Sequence, residues 1–262
     1  MAELLTKNIS RAAIKRFTGG RDAERLYGFL VSLSSDIFEV KDEFTGPVID
    51  SNKWTVNNGG GASAASPAID VGLKGGAIKM VTGTAGDSTA NSCLAGGRHF
   101  TGDTNAIIQA RVKLETVITS VKVEIGFRDA ITNGAVVNVK ATPSFTASDG
   151  AVWILDTNEN VNWDGLGVAA TVVATSVKPA NASVNLAAST YGTFQVALLD
   201  GIAYYSAFNV DGVLIYGPTA QAAAVTKTVL LSPHVYVEAR NATSKTLNVD
   251  YVRCWCARTT TP

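Results

Sequence analysis

Side chains able to do chemistry are few and scattered in this chain of 262 residues. Its two histidines are His99 in Gly-Gly-Arg-His-Phe and His234 in Ser-Pro-His-Val. Neither stands at a spacing that would pass a proton between a serine or cysteine nucleophile and a base, so each reads as a hydrogen-bonded strand-end residue. No Gly-x-Ser-x-Gly elbow, Walker loop or Gly-x-Gly-x-x-Gly turn occurs. Cys254-Trp-Cys256 puts two thiols on one face of a strand, but Cys93 is the only other thiol. Metal-ligand spacing is absent, and all three read as buried structural thiols. The richest oxygen set is Asp156-Thr-Asn-Glu-Asn-Val-Asn-Trp-Asp-Gly165, with side-chain oxygens at 156, 158, 160, 162 and 164. Calcium takes about six to eight oxygens, and a calcium loop of this type needs Gly at its sixth position and Glu at its twelfth. Val161 and Gly167 stand there instead, so the segment reads as an Asx-rich loop or an outward strand face. No catalytic residue, metal site or cofactor is therefore expected. Sugar binding would need exposed rings beside Asn or Asp: Trp163 between Asn162 and Asp164, and Tyr204 or Tyr205 after Asp200. The same rings would serve equally well in a sandwich core or a subunit interface.

The elements that must position these groups divide in two. The chain has 22 Lys+Arg and 22 Asp+Glu, a net charge of zero, with 46% hydrophobic and 17% charged residues. The charged share lies below the usual figure of about 25%, and global disorder is excluded. Charge balance removes the simplest case for a nucleic-acid partner. No apolar run approaches the roughly 18 residues of a membrane span, and residues 1–17 lack the apolar stretch of a signal peptide. Three cysteines fit synthesis in a reducing cytoplasm. Yet residues 1–43 hold 14 of the 44 charges. Residues 2–17 have helical spacing at Leu5, Ile9 and Phe17, with Arg11, Lys15 and Arg16 on the other face. After Gly19-Gly20, a second helix fits 22–34, with Asp22 as N-cap and Leu26, Phe29, Leu30 and Leu33 at i, i+3, i+4 and i+7. Two such short helices need a surface, either the chain's own body or a partner. The expected organisation is a helical anchoring arm over 1–43, a β body over 44–258 and a short tail over 259–262.

Beyond residue 43 the period becomes two. Ile108, Ala110, Val112 and Leu114 alternate with polar residues, as do Val121, Val123, Ile125 and Phe127. Phe194, Val196 and Leu198 repeat the pattern, followed by Tyr204, Ser206, Phe208 and Val210, and by Leu247, Val249 and Tyr251. Such alternation marks antiparallel strands with one buried face. Turns are expected at Asn133-Gly134, Asp149-Gly150, Asp164-Gly165, Asp200-Gly201 and Asp211-Gly212, and Gly59–Ser66 reads as a flexible loop. Roughly a dozen strands and no helix after the arm predict a mainly β, two-sheet antiparallel jelly-roll sandwich.

Three segments resemble concanavalin A-like (laminin-G/glucanase) jelly rolls. They are Asp42-Glu-Phe-Thr-Gly-Pro-Val-Ile-Asp-Ser-Asn-Lys-Trp54; Tyr191–Gly201 with Phe208-Asn-Val-Asp-Gly-Val-Leu214; and Leu247-Asn-Val-Asp-Tyr-Val252. The resemblance spans about 44–256 and implies the fold without settling the function. Glucanases of this family carry Glu-x-Asp-x-x-Glu along one strand, so that a general acid and a nucleophile flank a glycosidic bond. The counterpart strand here, Val121–Phe127, offers only Glu124, and glycosidase chemistry is not expected. The absent signal peptide, the arm and the Ala/Gly/Thr-rich body resemble tailed-phage particle proteins. That likeness implies a non-enzymatic capsid decoration or head-fibre protein of the virion, assembled in the host cytoplasm. It implies a homo-oligomer, trimeric by preference, docked on a major capsid or other virion protein, with no nucleic-acid or membrane partner. A tail adhesin binding a host surface glycan through Trp163, Tyr204 or Tyr205 is the first alternative, and a polysaccharide hydrolase or lyase the second.

Overall fold

The computed structural model describes residues 37–59, 65–73, 75–85, 90–115, 118–140, 144–173, 184 and 187–257. The expected helices, with Leu5, Ile9, Arg11, Lys15, Arg16, Phe17, Leu26, Phe29, Leu30 and Leu33, lie outside these residues, as do the tail and most of the 59–66 loop. The described residues form seventeen strands and no α-helix. In chain order these begin with β1 (Ile37–Asp42), β2 (Trp54–Asn58), β3 (Ala65–Ile69), β4 (Ile78–Val81), β5 (Asn91–Gly96) and β6 (Ile107–Leu114). Next come β7 (Val121–Arg128), β8 (Val137–Val139), β9 (Ser144–Phe145), β10 (Gly150–Asp156), β11 (Asn160–Ala169) and β12 (Val172–Val173). The series closes with β13 (Gly192–Leu199), β14 (Ile202–Phe208), β15 (Leu214–Gln221), β16 (Ser232–Ala239) and β17 (Thr246–Ala257).

Two antiparallel sheets carry the body. An eight-stranded sheet has the order β15-β14-β13-β6-β17-β4-β3, with β1 also on β17; a seven-stranded sheet runs β12-β11-β10-β7-β16-β5-β2. Strands distant in sequence are neighbours within each sheet, as a jelly roll requires. Alternation turns Ile108, Ala110, Val112 and Leu114 of β6 toward Val121, Val123, Ile125 and Phe127 of β7, all in one buried cluster. Burying each such side chain contributes on the order of 1.5–3 kcal/mol. Trp153 on β10 ties the layers together: its indole nitrogen donates to the Gln195 carbonyl at 3.0 Å, and its ring meets Phe194 edge-on at 5.6 Å.

Several expectations change. The sandwich begins ahead of residue 44, because Ile37–Asp42 pairs along β17 from Ala257 to Val252. Asp164-Gly165 is no turn but the middle of β11. A Cβ on Gly165 would come within 2.7 Å of the Tyr205 ring, so the glycine is there for close packing. Asp200-Gly201 does turn, with φ of 55° and 77°, the left-handed pair of a two-residue hairpin. On β14 the residues in the core between the sheets are Ala203, Tyr205 and Ala207, one residue out of phase with the expected Tyr204, Ser206 and Phe208, of which Ser206 and Phe208 are buried outside that core. In β17 a bulge between Val249 and Tyr251 shifts the register, so Val252 enters the core and Tyr251 is turned out of it.

Candidate functional site

The strand that resembles the catalytic strand of glucanases, β7, lies at the centre of the seven-stranded sheet. Its inward residues belong to the core, so Lys122, Glu124, Gly126 and Arg128 point to the outer face. Register sets their neighbours. Lys122 lies between Asp156 of β10 and Glu238 of β16, and Glu124 lies between Ile154 and Tyr236. These polar side chains are almost completely buried, Glu124 and Asp156 at 0% exposure and Lys122 and Glu238 at 1%.

Their cover is the chain itself. After β7 the described residues 129–140 and 144–149, which include β8 and β9, lie over the outer face. Val136, Val137, Ala147 and Phe145 pack on Val152 and Ile154 of β10 and on Leu166 and Val168 of β11. Ala135 packs on Tyr236, Cys93 and Ala95. At the far side the Ile131 carbonyl accepts from Asn57 of β2 at 3.3 Å. The outward side chains of β7 pin this cover. Glu124 accepts from the Val136 and Val137 amides at 2.6 and 2.9 Å. Arg128 donates to the Thr132 and Gly134 carbonyls at 2.8 and 2.7 Å, and Lys122 to the Val137 carbonyl at 3.2 Å. Each pin satisfies a backbone group that the cover would otherwise bury unpaired.

Beneath the cover lie two linked clusters. In the first, the Lys122 ammonium meets Glu238 at 2.7 Å, Glu238 accepts from Arg240 at 3.1 Å, and Arg240 faces Asp156 at 3.6 Å. Burial pushes the Asp156 carboxyl up, against the pull of Arg240. Burial pushes Glu238 the same way, but Lys122 and hydrogen bonds from Lys122, Tyr236 and Arg240 outweigh it and hold Glu238 below the ordinary range. In the second cluster, His234 has its Nε2 3.5 Å from Glu124 and its Nδ1 3.6 Å from the Cys93 sulfur. Burial lowers the imidazole, chiefly opposed by its hydrogen bond with Glu124, and pushes the Cys93 thiol up to about 12. A nucleophile–base–carboxylate order is thus present, but the sulfur is held as a thiol.

The Asx-rich segment also closes on itself. Lys140, at the end of the cover, donates to Asn160 Oδ1 at 2.9 Å and to the Asn162 carbonyl at 2.5 Å, and pairs with Asp164 at 3.4 Å. A lysine ammonium thus lies among the oxygens of residues 160, 162 and 164, while Asp156 faces Arg240 instead. Among the described residues no group of three or more His, Cys, Asp or Glu side chains is placed to hold a metal ion.

Trp163 and Tyr205 do not face solvent, which corrects their reading as glycan contacts. Both are fully buried; Trp163 stacks on Phe194 at 4.0 Å and Tyr205 donates to Gln221 at 3.0 Å. Tyr204 lies half-buried on the outer face of the eight-stranded sheet beside Ile107, Ala197 and Trp255. His99 is exposed, whereas His234 sits inside β16 rather than at its end. Lys122, Glu238, Arg240 and Lys140 escaped the sequence reading because each meets its partners from a segment distant in sequence: Lys122 meets Glu238 across two strands, Arg240 meets Asp156, and Lys140 meets Asp164. One signal was available: Lys122, Glu124 and Arg128 alternate with the apolar set of β7, too polar a stripe for an ordinary buried strand.

No protein-family model and no curated protein matches the chain. Solved structures do. A protein of unknown function from Shewanella oneidensis MR-1 superposes with a TM-score of 0.62 at 14% identity, covering 93% of this chain and 97% of that one. A glycosyl hydrolase family protein from Mycobacterium fortuitum gives 0.55 at 14% identity, over 82% of this chain and 98% of that one. Peanut lectin gives 0.55 at 10% identity, over 87% of this chain and 100% of that one. The fold is therefore the concanavalin A-like jelly roll shared by lectins and family 16 glycoside hydrolases. At these identities the likeness carries the fold alone. It nonetheless overturns the expected virion structural protein, since the chain superposes on glycoside hydrolases and a lectin instead. The expectation that the chain is not an enzyme falls with it, because the same fold carries glycoside hydrolases.

Proposed function

We propose that the protein is a carbohydrate-binding jelly roll. One observation carries the reading: 87% of the chain superposes on a lectin and 82% on a glycosyl hydrolase family protein, both across almost their full length. The fold offers broad, flat sheet faces and rim loops, the kind of surface on which sugar rings stack and hydrogen-bond. Electrophoresis of the full chain through gels containing soluble glucans, galactans or mucin glycans tests the reading directly. Retardation by at least one glycan class is expected; equal mobility in every gel overturns it.

A second reading, glycoside hydrolysis, is favoured by the two acids that flank Lys122. Asp156 is raised and Glu238 lowered on one face of one sheet. That sets two carboxyls apart in proton affinity, the direction of difference that the acid and the nucleophile of such hydrolysis need. It also requires the cover to move. The reading predicts release of reducing ends that Glu238→Gln and Asp156→Asn abolish while the fold survives. No release by the wild-type chain from any bound glycan excludes it.

A further inference from the structure

We infer that a neutral polysaccharide binds on the outer face of the eight-stranded sheet, across Tyr191, Arg111, Lys113, Asp250 and Tyr251. The inference deepens the carbohydrate reading and rests on it. The outer face of the other sheet is covered by residues 129–140 and 144–149, and Lys140 lies against the Asx-rich rim, so neither is free to take a sugar. Trp163 and Tyr205 are in the core.

The eight-stranded sheet differs. Tyr191 immediately precedes Gly192, which pairs with Val112; Tyr191 therefore faces outward with Lys113 and Arg111. Its ring lies 4.6 Å from the Arg111 guanidinium and 5.0 Å from the Lys113 ammonium. On the other side of β6, the bulge in β17 sets both Asp250 and Tyr251 beside Arg111. Asp250 pairs with Arg111 at 2.5 Å, and the Arg253 guanidinium lies 4.9 Å from the Tyr251 ring. Tyr191, Arg111, Lys113, Asp250 and Tyr251 are all half-buried, so the face they make reaches solvent. In the neighbouring row, opposite Lys113, the Asn248 side-chain oxygen is buried without a hydrogen-bond partner.

This is sugar-binding chemistry. The two tyrosines flank β6, Tyr191 level with Lys113 and Tyr251 with Arg111, two strand spacings and two residues apart, about 12 Å at the backbone, a span that a short stretch of one polysaccharide chain can bridge. A ring whose electrons are engaged by a cation stays fixed in place as a stacking platform. Between the platforms lie donors (Arg111, Lys113) and an acceptor (Asp250) that reach solvent, the mixture that hydroxyl groups require. Arg111 is paired with Asp250 and Arg253 with Glu43 at 3.2 Å, while Asp70, close enough to Tyr191 to act on its hydroxyl, offsets Lys113; this balance favours an uncharged polymer over an acidic one.

Calorimetric titration of the full chain with laminarin, mixed-linkage β-glucan and polygalacturonate is the test. A neutral glucan is expected to bind, with tenfold or greater weakening in Tyr191→Ala and Tyr251→Ala and retention in Tyr191→Phe and Tyr251→Phe. Cooperative melting of the Ala variants separates lost contact from lost fold. If the wild type binds a glucan and both Ala variants bind equally well, this surface is wrong while the carbohydrate reading stands. Preference for polygalacturonate overturns the neutral-polymer assignment. Silence of the wild type toward every glycan removes the carbohydrate reading itself.

Discussion

The two sheets present opposite solutions to the same problem, a polar stripe on an outward face. On β7 the stripe Lys122, Glu124, Arg128 is roofed by residues 129–140 and 144–149 and ties down the backbone of the roof at Thr132, Val136 and Val137. On β6 the stripe Gln109, Arg111, Lys113 has one end closed and one end open. Gln109 is buried, while Arg111 and Lys113 reach the surface beside Tyr191 and Tyr251. Charged residues on a strand therefore do not by themselves mark a site. Their role depends on whether the next segment of chain comes back over them, and that decides between a structural pin and a ligand contact.

Breaking the roofed side should cost most. Glu124→Ala removes the acceptor of two buried amides and the partner of His234, a loss on the order of 3–5 kcal/mol. Urea denaturation measures it; a loss below about 1 kcal/mol would mean that the cover is not pinned as described. The next effect is pH-dependent. The imidazole of His234 is held below its usual value of 6.5, so the folded chain binds fewer protons there than the unfolded chain. Stability from this group is complete above about pH 6.5 and falls as the pH drops through the window between 6.5 and the folded value. His234→Gln should flatten that slope in melts recorded from pH 7.5 to 5. Asp156, raised from 3.8, has the reverse sign, costing stability as the pH rises above that value, and its window begins lower. Under the same roof Cys93, with its thiol pushed up to about 12, should resist thiol reagents in the native chain at pH 8 and react on unfolding. On the open side, Tyr251→Ala gives up the hydrogen bond that its hydroxyl donates to Gln109 at 3.1 Å and should cost about 1 kcal/mol, while lowering affinity for glucan. A large loss of stability would place Tyr251 in the packing rather than at the site.

Much of the sandwich is legible in the sequence because period-two alternation and core burial are the same fact. β6, β7 and β13 face the way their apolar residues dictate. The errors fall where backbone irregularity or a small residue breaks that rule. The bulge in β17 turns Tyr251 outward, and small Ala203 and Ala207 fill the inward positions of β14 around Tyr205. The candidate site was less legible still. Glu124 stands out alone, but Lys122, Asp156, Glu238 and Arg240 come together only through strand order, with β10 and β16 on either side of β7. The roof is invisible to periodicity, since its apolar residues, among them Ala135, Val136, Val137, Phe145 and Ala147, do not alternate over the length of a strand. The expected particle protein rested on composition and an N-terminal arm, and neither of these specifies a binding surface.

Hydroxyl-radical footprinting of the full chain, with and without a bound neutral glucan, compares the two faces in one measurement. The account predicts that Tyr191 and Tyr251 oxidise in the free protein and are protected in the complex. Tyr236 and Cys93, under the roof, should remain unoxidised in both. Tyr236 or Cys93 becoming reactive when glucan binds, with Tyr191 and Tyr251 unchanged, would contradict it and place the sugar on the face that the chain now covers.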